Sequence, residues 1–303
     1  PTPVSVTRIP GLKGNKGYGW LPEGKVGRLR AVPTYVSGVA NMAPCSRRPF
    51  VGRSAFAHQG GIHVSAVNRN STLYEHINPL EVGNEQRILL TELAGRSNIV
   101  SMARRFGFHL DKDEPVVKGL LLELKAKAAI GYDYAAAEAS VELLLLRKLG
   151  RRGVRDFFRL IQFNVLESKR APEKNSRGEA VLQSEATVTL EVEGVIEHTA
   201  AFGEGPVNAL DKALRKALSG FYPHLKDMRL VDFKVRVLAA TEQHKGTGSL
   251  VRVLIESADQ TNKWVTVGVS YNIIEASWQA LIDSVTYKLY KDENEKRSQK
   301  LGD

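Results

Sequence analysis

The chain has 303 residues, 43% hydrophobic and 25% charged, with a formal net charge of +10 and one cysteine. That is the composition of a globular protein long enough for two domains, and it excludes any disulfide framework within the chain. No apolar run approaches the roughly 20 residues of a membrane span; Leu143 to Leu146 is closed off by Glu142 and Arg147.

The first residues, PTPVSVTRIP, lack the apolar core of a signal peptide, so the chain reads as cytoplasmic. Residues 1–24 are rich in Gly, Pro and Lys and read as the trailing edge of another domain. From Lys25 to Met42, Val26, Leu29, Val32, Val36 and Val39 fit one helical face, with Pro33 expected to disturb its middle. Pro44 to Ser54 is a loop. Cys45 within it has no organised base nearby in the chain and is not expected to act as a nucleophile.

In GRSNIVSMARRFG, Ser97 is positioned to cap a helix that Gly107 ends. Asp113, Glu114 and Pro115 start the next helix, which presents Val116, Val117, Leu120, Leu121 and Leu124 on one side. Another helix spans Ala135 to Leu149 and stops at Gly150. Residues 25–152 therefore read as a helical interaction unit, because such short helices are not stable singly.

Beyond Gly150 the texture shifts to strands. Phe157 to Glu167 reads as the first, followed by the polar loop SKRAPEKNSRGEA. ATVTLEVEG and VIEHTAAF alternate around Gly194 as a hairpin, and Gly203, Gly205 and Pro206 lead into a helix with the stripe Val207, Leu210, Leu214 and Leu218. The pattern recurs in Leu230 to Ala239, Leu250 to Ser257, WVTVGV and the helix NIIEASWQALIDSVTYKL. Ala209, Ala213 and Leu214 match Ala276, Ala280 and Leu281 at one offset of 67 residues. The expected fold class is α+β: helical linker subdomains, then two βββα units over residues 153–291, then a frayed charged tail, 292–303.

The basic stretch Arg147 to Arg177 carries ten Lys/Arg against Asp156, Glu167 and Glu173. These cations interrupt a helix end and an apolar run, and no nucleic-acid module accompanies them, so neither a nucleic acid nor a membrane is an expected partner. The sequon Asn70-Ser71-Thr72 lacks the secretion signal that would give it meaning.

The densest chemistry lies in FAHQGGIHVSAVNRNSTLYEHINP. Gly60 and Gly61 would allow a tight bend that aims His63 outward, and eleven residues later Tyr74 supplies a phenol. An imidazole can move protons near neutral pH and a phenol can stabilise an oxyanion. A histidine beside a Gly-Gly turn can equally be a hydrogen-bonded structural group. His58 and His63 are poor joint metal ligands, since a spacing of five puts them about 140° apart on an ideal helix, and no metal site is expected. His58, His76 and Asn78 read as structural.

This segment, with LPEGKVGRL, YVSGVANM, YEHINPLEVGNEQR and GRSNI before and after it, resembles the citramalate synthases within the larger 2-isopropylmalate and homocitrate synthase family. The match continues in order through GYDYAAAEASVELLLLRKLG, SEATVTLEVEG, EHTAAFGEGPVNALDKALRKAL and VGVSYNIIEASWQALIDS, covering about Leu21 to Leu289.

The resemblance implies an acyltransferase that condenses acetyl-CoA with pyruvate to citramalate in isoleucine biosynthesis, a branched-chain amino-acid pathway. It implies a (β/α)8 barrel ahead of this segment that carries a divalent metal and the catalytic arginine and glutamate; about 250 residues are needed for one, so this chain alone is expected to be inactive. It implies that His63 and Tyr74 act across a homodimer on the partner's barrel. It makes the C-terminal unit an allosteric domain inhibited by isoleucine. Helix starts suit an amino-acid carboxylate, so the effector candidates are Gly203, Gly205, Pro206, Val207, Asn208 and Ala209 at one start and Gly268, Asn272, Ile273 and Ala276 at the other. The alternatives are a leucine-pathway 2-isopropylmalate synthase and a stand-alone branched-chain amino-acid sensor.

Overall fold

Apolar periodicity around Val26 to Val39 is split in two by the turn at Leu29–Arg30: a single 3-10 turn over Val26–Arg28 precedes helix α1, Ala31–Val39. The computed structural model describes residues 25–40, 42, 45–90, 94–150, 155–170, 181–238 and 246–302. The expected trailing edge, 1–24, lies outside them. Contacts divide the chain into two compact units, with the boundary at Leu121/Leu122 inside helix α4, Pro115–Ala129.

In the first unit, Pro33 falls in the first turn of α1, where its missing N–H is not needed, so the proline does not disturb the helix. Of the stripe read as one helical face, Val32, Val36 and Val39 are exposed, as is the neighbouring Tyr35. Strand β1 (Ala57–His58) leads into α2 (Gly61–Arg69), and β2 (Arg87–Ile88) leads toward α3 (Arg96–Arg105). The two short strands pair in parallel, Ala57 with Arg87 and His58 with Ile88. Two-residue strands leave no alternation to read, so periodicity does not reveal them.

Val64 and Val67 of α2 and Ile99, Met102 and Ala103 of α3 are buried where the two helices pack. A second cluster of Phe56, Ile77 and Val82 takes in Val26 and Leu29. Between Ile77 and β2, Asn78 caps the 3-10 turn Pro79–Val82 through Leu80 N (3.1 Å), and Gly83 closes it at φ 70. A Cβ at Gly83 would also stand 2.0 Å from Gly27 O, so glycine is required there twice over.

The second unit begins with the end of α4 and α5 (Glu138–Leu149), which Gly150 ends at φ 61. Strands β3 (Arg159–Arg170), β4 (Val181–Val192) and β5 (Val195–Gly203) form an antiparallel sheet in the order β3-β4-β5. The β4–β5 turn is Glu193-Gly194, both with positive φ (50 and 84), the backbone a two-residue hairpin needs. Alternate β4 residues Ser184, Ala186, Val188, Leu190 and Val192 are buried beneath α6 (Pro206–Leu218), which returns Leu210, Leu214 and Leu218 along with Ala209, Ala213 and Ala217.

A second antiparallel sheet, β6 (Arg229–Val237), β7 (Val251–Ala258) and β8 (Lys263–Ser270), precedes α7, Ile273–Gly302. That helix packs on β7 and β8 around Val253, Ile255, Ala276, Ala280 and Leu281. It runs through the charged tail expected to fray. Thr199 Oγ1 donates to Ala213 O (2.8 Å), and Thr266 Oγ1 to Ala280 O (2.7 Å), so donor and acceptor both recur at the offset of 67.

Helix α5, grouped by the sequence with the linker, packs against β8 and α7. Ser140 Oγ both donates to Asp283 (2.9 Å) and accepts from Val267 N (3.1 Å), while Arg147 pairs with Asp283 at 2.9 Å. Glu142, 3% exposed, accepts from Tyr287 OH at 2.9 Å and pairs with Lys291 at 2.7 Å. The contact boundary thus lies ahead of the expected one at 152, because α5 has its buried face in the second unit.

Candidate functional site

The peptide groups around Gly60 and Gly61 connect β1 to α2, and His63 is the third residue of that helix. Gly60 is extended (φ −72, ψ 133), so no left-handed bend aims His63. The demand for glycine is a packing one: a Cβ at Gly61 would lie 3.2 Å from Gly95 Cα, where the starts of α2 and α3 meet. Gly95, and not the expected Ser97, is the N-cap of α3. Its N–H donates to Asn98 Oδ1 (3.0 Å), and Asn98 Nδ2 donates to Gln59 O (3.0 Å) and Leu89 O (3.3 Å). One fully buried amide therefore fixes the loop before α2, the end of β2 and the start of α3.

On this frame the His63 and Tyr74 rings stack, with centroids 4.5 Å apart and planes 26° from parallel. Both residues are exposed, so the pair faces outward. His58 meets the Tyr74 ring edge-on at 6.5 Å and 70°. Helix spacing would have separated the two histidines; because His58 lies on β1 and only His63 on α2, both rings reach one tyrosine. His58 Nε2 lies 3.0 Å from Glu75 Oε1, and both side chains are nearly buried. Glu75 was missed from sequence; its only signal was a carboxylate directly after the singled-out tyrosine.

His63 borders an open groove of about 880 Å³ whose lining includes Gly60, Gly61, Gly95, Arg69, Arg96 and Lys112. Arg96 pairs with Asp113 at 2.5 Å. Three cations against that one carboxylate give the groove a positive character suited to anions. Tyr74 lines a separate cavity of about 380 Å³ with Arg47, Phe50, His58, Glu75 and His76. Cys45 is exposed.

At the effector candidates, Ala209 and Ala276 are fully buried. A Cβ at Gly203 would lie 2.3 Å from Ala209 N, and one at Gly268 2.0 Å from Ala276 O, so at both places strand and helix backbones approach too closely for a side chain. Gly205 caps α6 and Pro206 opens it. Asn208 Oδ1 accepts from Glu204 N (3.2 Å), and Asn272 Oδ1 accepts from Ile274 N (2.8 Å) and Glu275 N (3.3 Å). Val207 packs against the cluster that holds Ala276, while Ile273 is exposed.

Residues 135–289 match the LeuA allosteric (dimerisation) domain, and residues 50–131 the homocitrate synthase post-HMGL domain-like model. The chain belongs to the LeuA allosteric (dimerisation) domain family. It is similar to the (R)-citramalate synthase of Aquifex aeolicus, 48% identical over 95% of this chain and 52% of that protein. Against the (R)-citramalate synthase of Geobacter sulfurreducens it is 47% identical over 96% of this chain and 53% of that protein. The 2-isopropylmalate synthase of Methanocaldococcus jannaschii is 25% identical over 91% of this chain and 49% of that protein. The chain spans about half the length of the curated relatives it matches.

Proposed function

We propose that this chain serves (R)-citramalate synthesis, the condensation of acetyl-CoA with pyruvate, by supplying His63 and Tyr74 to the reaction and an amino-acid-sensing unit to its control. The observation that carries this reading is the outward-facing His63–Tyr74 stack beside a basic groove; the 48% identity to an (R)-citramalate synthase supports the choice of reaction. CoA thioesters and pyruvate are both anions, which the groove's charge favours.

In this reading His63 accepts a proton from the acetyl methyl group, and Tyr74 donates a hydrogen bond to the oxygen on which charge develops. The carbanion equivalent attacks the keto carbon of pyruvate, and water then cleaves the thioester to give citramalate and CoA. A divalent metal is implied by the resemblance. Among the described residues no group of three or more His, Cys, Asp or Glu side chains could hold one, so these residues do not fit it and no step is routed through it. The pair acts on a partner subunit's site in a homodimer.

The two sheet-plus-helix segments are read as repeated βββα units, supported by the shared 67-residue offset of their Thr-to-carbonyl bonds. Isoleucine is the proposed effector, with its carboxylate near the starts of α6 and α7. Calorimetric titration of the chain with isoleucine and with leucine tests this; no heat from isoleucine would refute it. For catalysis, His63→Ala and Tyr74→Phe in a protein with measurable CoA release should each lower turnover on the order of 10²-fold, with pyruvate preferred over 2-oxoisovalerate. Wild-type turnover in both variants would sink the assignment.

A further inference from the structure

Tyr74 and Glu75 are adjacent yet face opposite ways, the tyrosine 42% exposed and the glutamate 7%. Glu75 reaches back to His58 Nε2 at 3.0 Å, and the backbone of His58 is itself held in the β1–β2 pair, where its carbonyl accepts from Leu89 N at 2.8 Å. That same imidazole stands across the Tyr74 ring, centroids 6.5 Å apart and planes at 70°, while the face of Tyr74 carries His63. From this geometry we propose that the buried His58–Glu75 pair is a clamp that holds the Tyr74 ring against His63, making His58 and Glu75 positioning residues for the exposed pair.

Two physical arguments support it. A nearly buried carboxylate–imidazole pair is a poor way to gain stability, because apolar side chains of similar volume commonly do as well or better; what the pair adds is a directional bond that fixes the ring. The second argument is space. The cavity beside Tyr74, lined by Phe50, His58, Glu75 and His76, gives the phenol ring room to swing away from His63 once the imidazole is gone.

This inference rests on His63 and Tyr74 being the acting pair, but its test measures ring geometry without turnover, so failure of the catalytic reading and failure of the clamp are distinguishable. The 303-residue chain, labelled at its aromatic side chains, is studied by NMR as wild type and as His58→Gln, Glu75→Gln and the double variant His58→Leu with Glu75→Leu. The wild type should show a cross-peak between the His63 and Tyr74 rings and an upfield ring-current shift on His63. In the double variant both should disappear while the melting temperature holds or rises. His58→Gln keeps an amide donor for Glu75 but removes the ring beside Tyr74, so the contact should weaken; an unchanged cross-peak and shift there would overturn the role of the imidazole. Persistence of the cross-peak and shift in a folded double variant would overturn the clamp. Should the double variant unfold, Glu75→Gln decides, with a weakened contact expected and an unchanged one refuting the proposal.

Discussion

Gly268 lies on β8 directly against α7, and replacing it with alanine is a sharp perturbation of the second unit. An added Cβ would stand 2.0 Å from Ala276 O, 3.0 Å from Ala276 C and 2.9 Å from Gln279 Cβ. Ordinary contact begins at about 3.4 Å, and the nearest obstructing atom, Ala276 O, is helix backbone, which cannot rotate aside. Helix and strand must therefore separate by more than an ångström over a cluster, Val253, Ile255, Ala276, Ala280 and Leu281, that is completely buried. Overpacking of this kind costs about 1–3 kcal/mol, here toward the upper end, offset by the ~0.4–1 kcal/mol that alanine gains by restricting the unfolded chain. The expected net loss is about 2 kcal/mol, or roughly 4–8 °C in melting temperature for a unit of this size. Urea denaturation followed by tryptophan fluorescence reports on it, since Trp264 and Trp278 are both buried in this unit. Gly220→Ala is the control, with nothing within 4 Å of its added carbon, and should be neutral or slightly stabilising. Equal midpoints for Gly268→Ala and wild type would refute the packing argument.

Asn98→Ala should cost the first unit on the order of 3 kcal/mol, because it leaves Gln59 O, Leu89 O and Gly95 N without their side-chain partner; hydrogen exchange at the start of α3 should accelerate, and unchanged protection would contradict the account. Asp259 gives a pH prediction. Burial alone would raise its pKa, but hydrogen bonds from Lys288 and from the N–H groups of Asn262 and Thr261 outweigh that and hold it at about 2, against 3.8 when free. Since the folded state binds this proton more weakly, the stabilisation is complete above about pH 4 and is lost as pH falls through about 2. Asp259→Asn should therefore flatten the acid limb of denaturation midpoints measured between pH 5 and 2, and an unaltered limb would count against it. Lys288 has the opposite sign: burial pulls its pKa down, yet the bonds to Asp259 and Asp292 raise it above 10.5, so its contribution persists below pH 10.5 and fades only at higher pH.

Much of the second unit was legible in the chain because its signals are local. The alternation through Val188, Leu190 and Val192, the Glu193-Gly194 turn and the Gly205-Pro206 helix start each act within a few residues. The first unit was harder to read. Its parallel β1–β2 pair joins segments 30 residues apart in the chain, and Asn98 bonds to a carbonyl 39 residues away. Periodicity carries no information about such long-range partners, which is why Gly95 was missed as a cap.

At the candidate site the division is the same. The sequence by itself singled out His63 and Tyr74, through residue type and through motifs that match a known family. Only the tertiary structure decided that their rings stack, that His58 shares the same tyrosine, and that Glu75 lies beneath them. The physical reason is distance along the chain: chemistry resides in side-chain identity, which a sequence states outright, whereas ring contact over eleven residues and a buried hydrogen bond over seventeen exist only once β1, α2 and the turn after it have packed together.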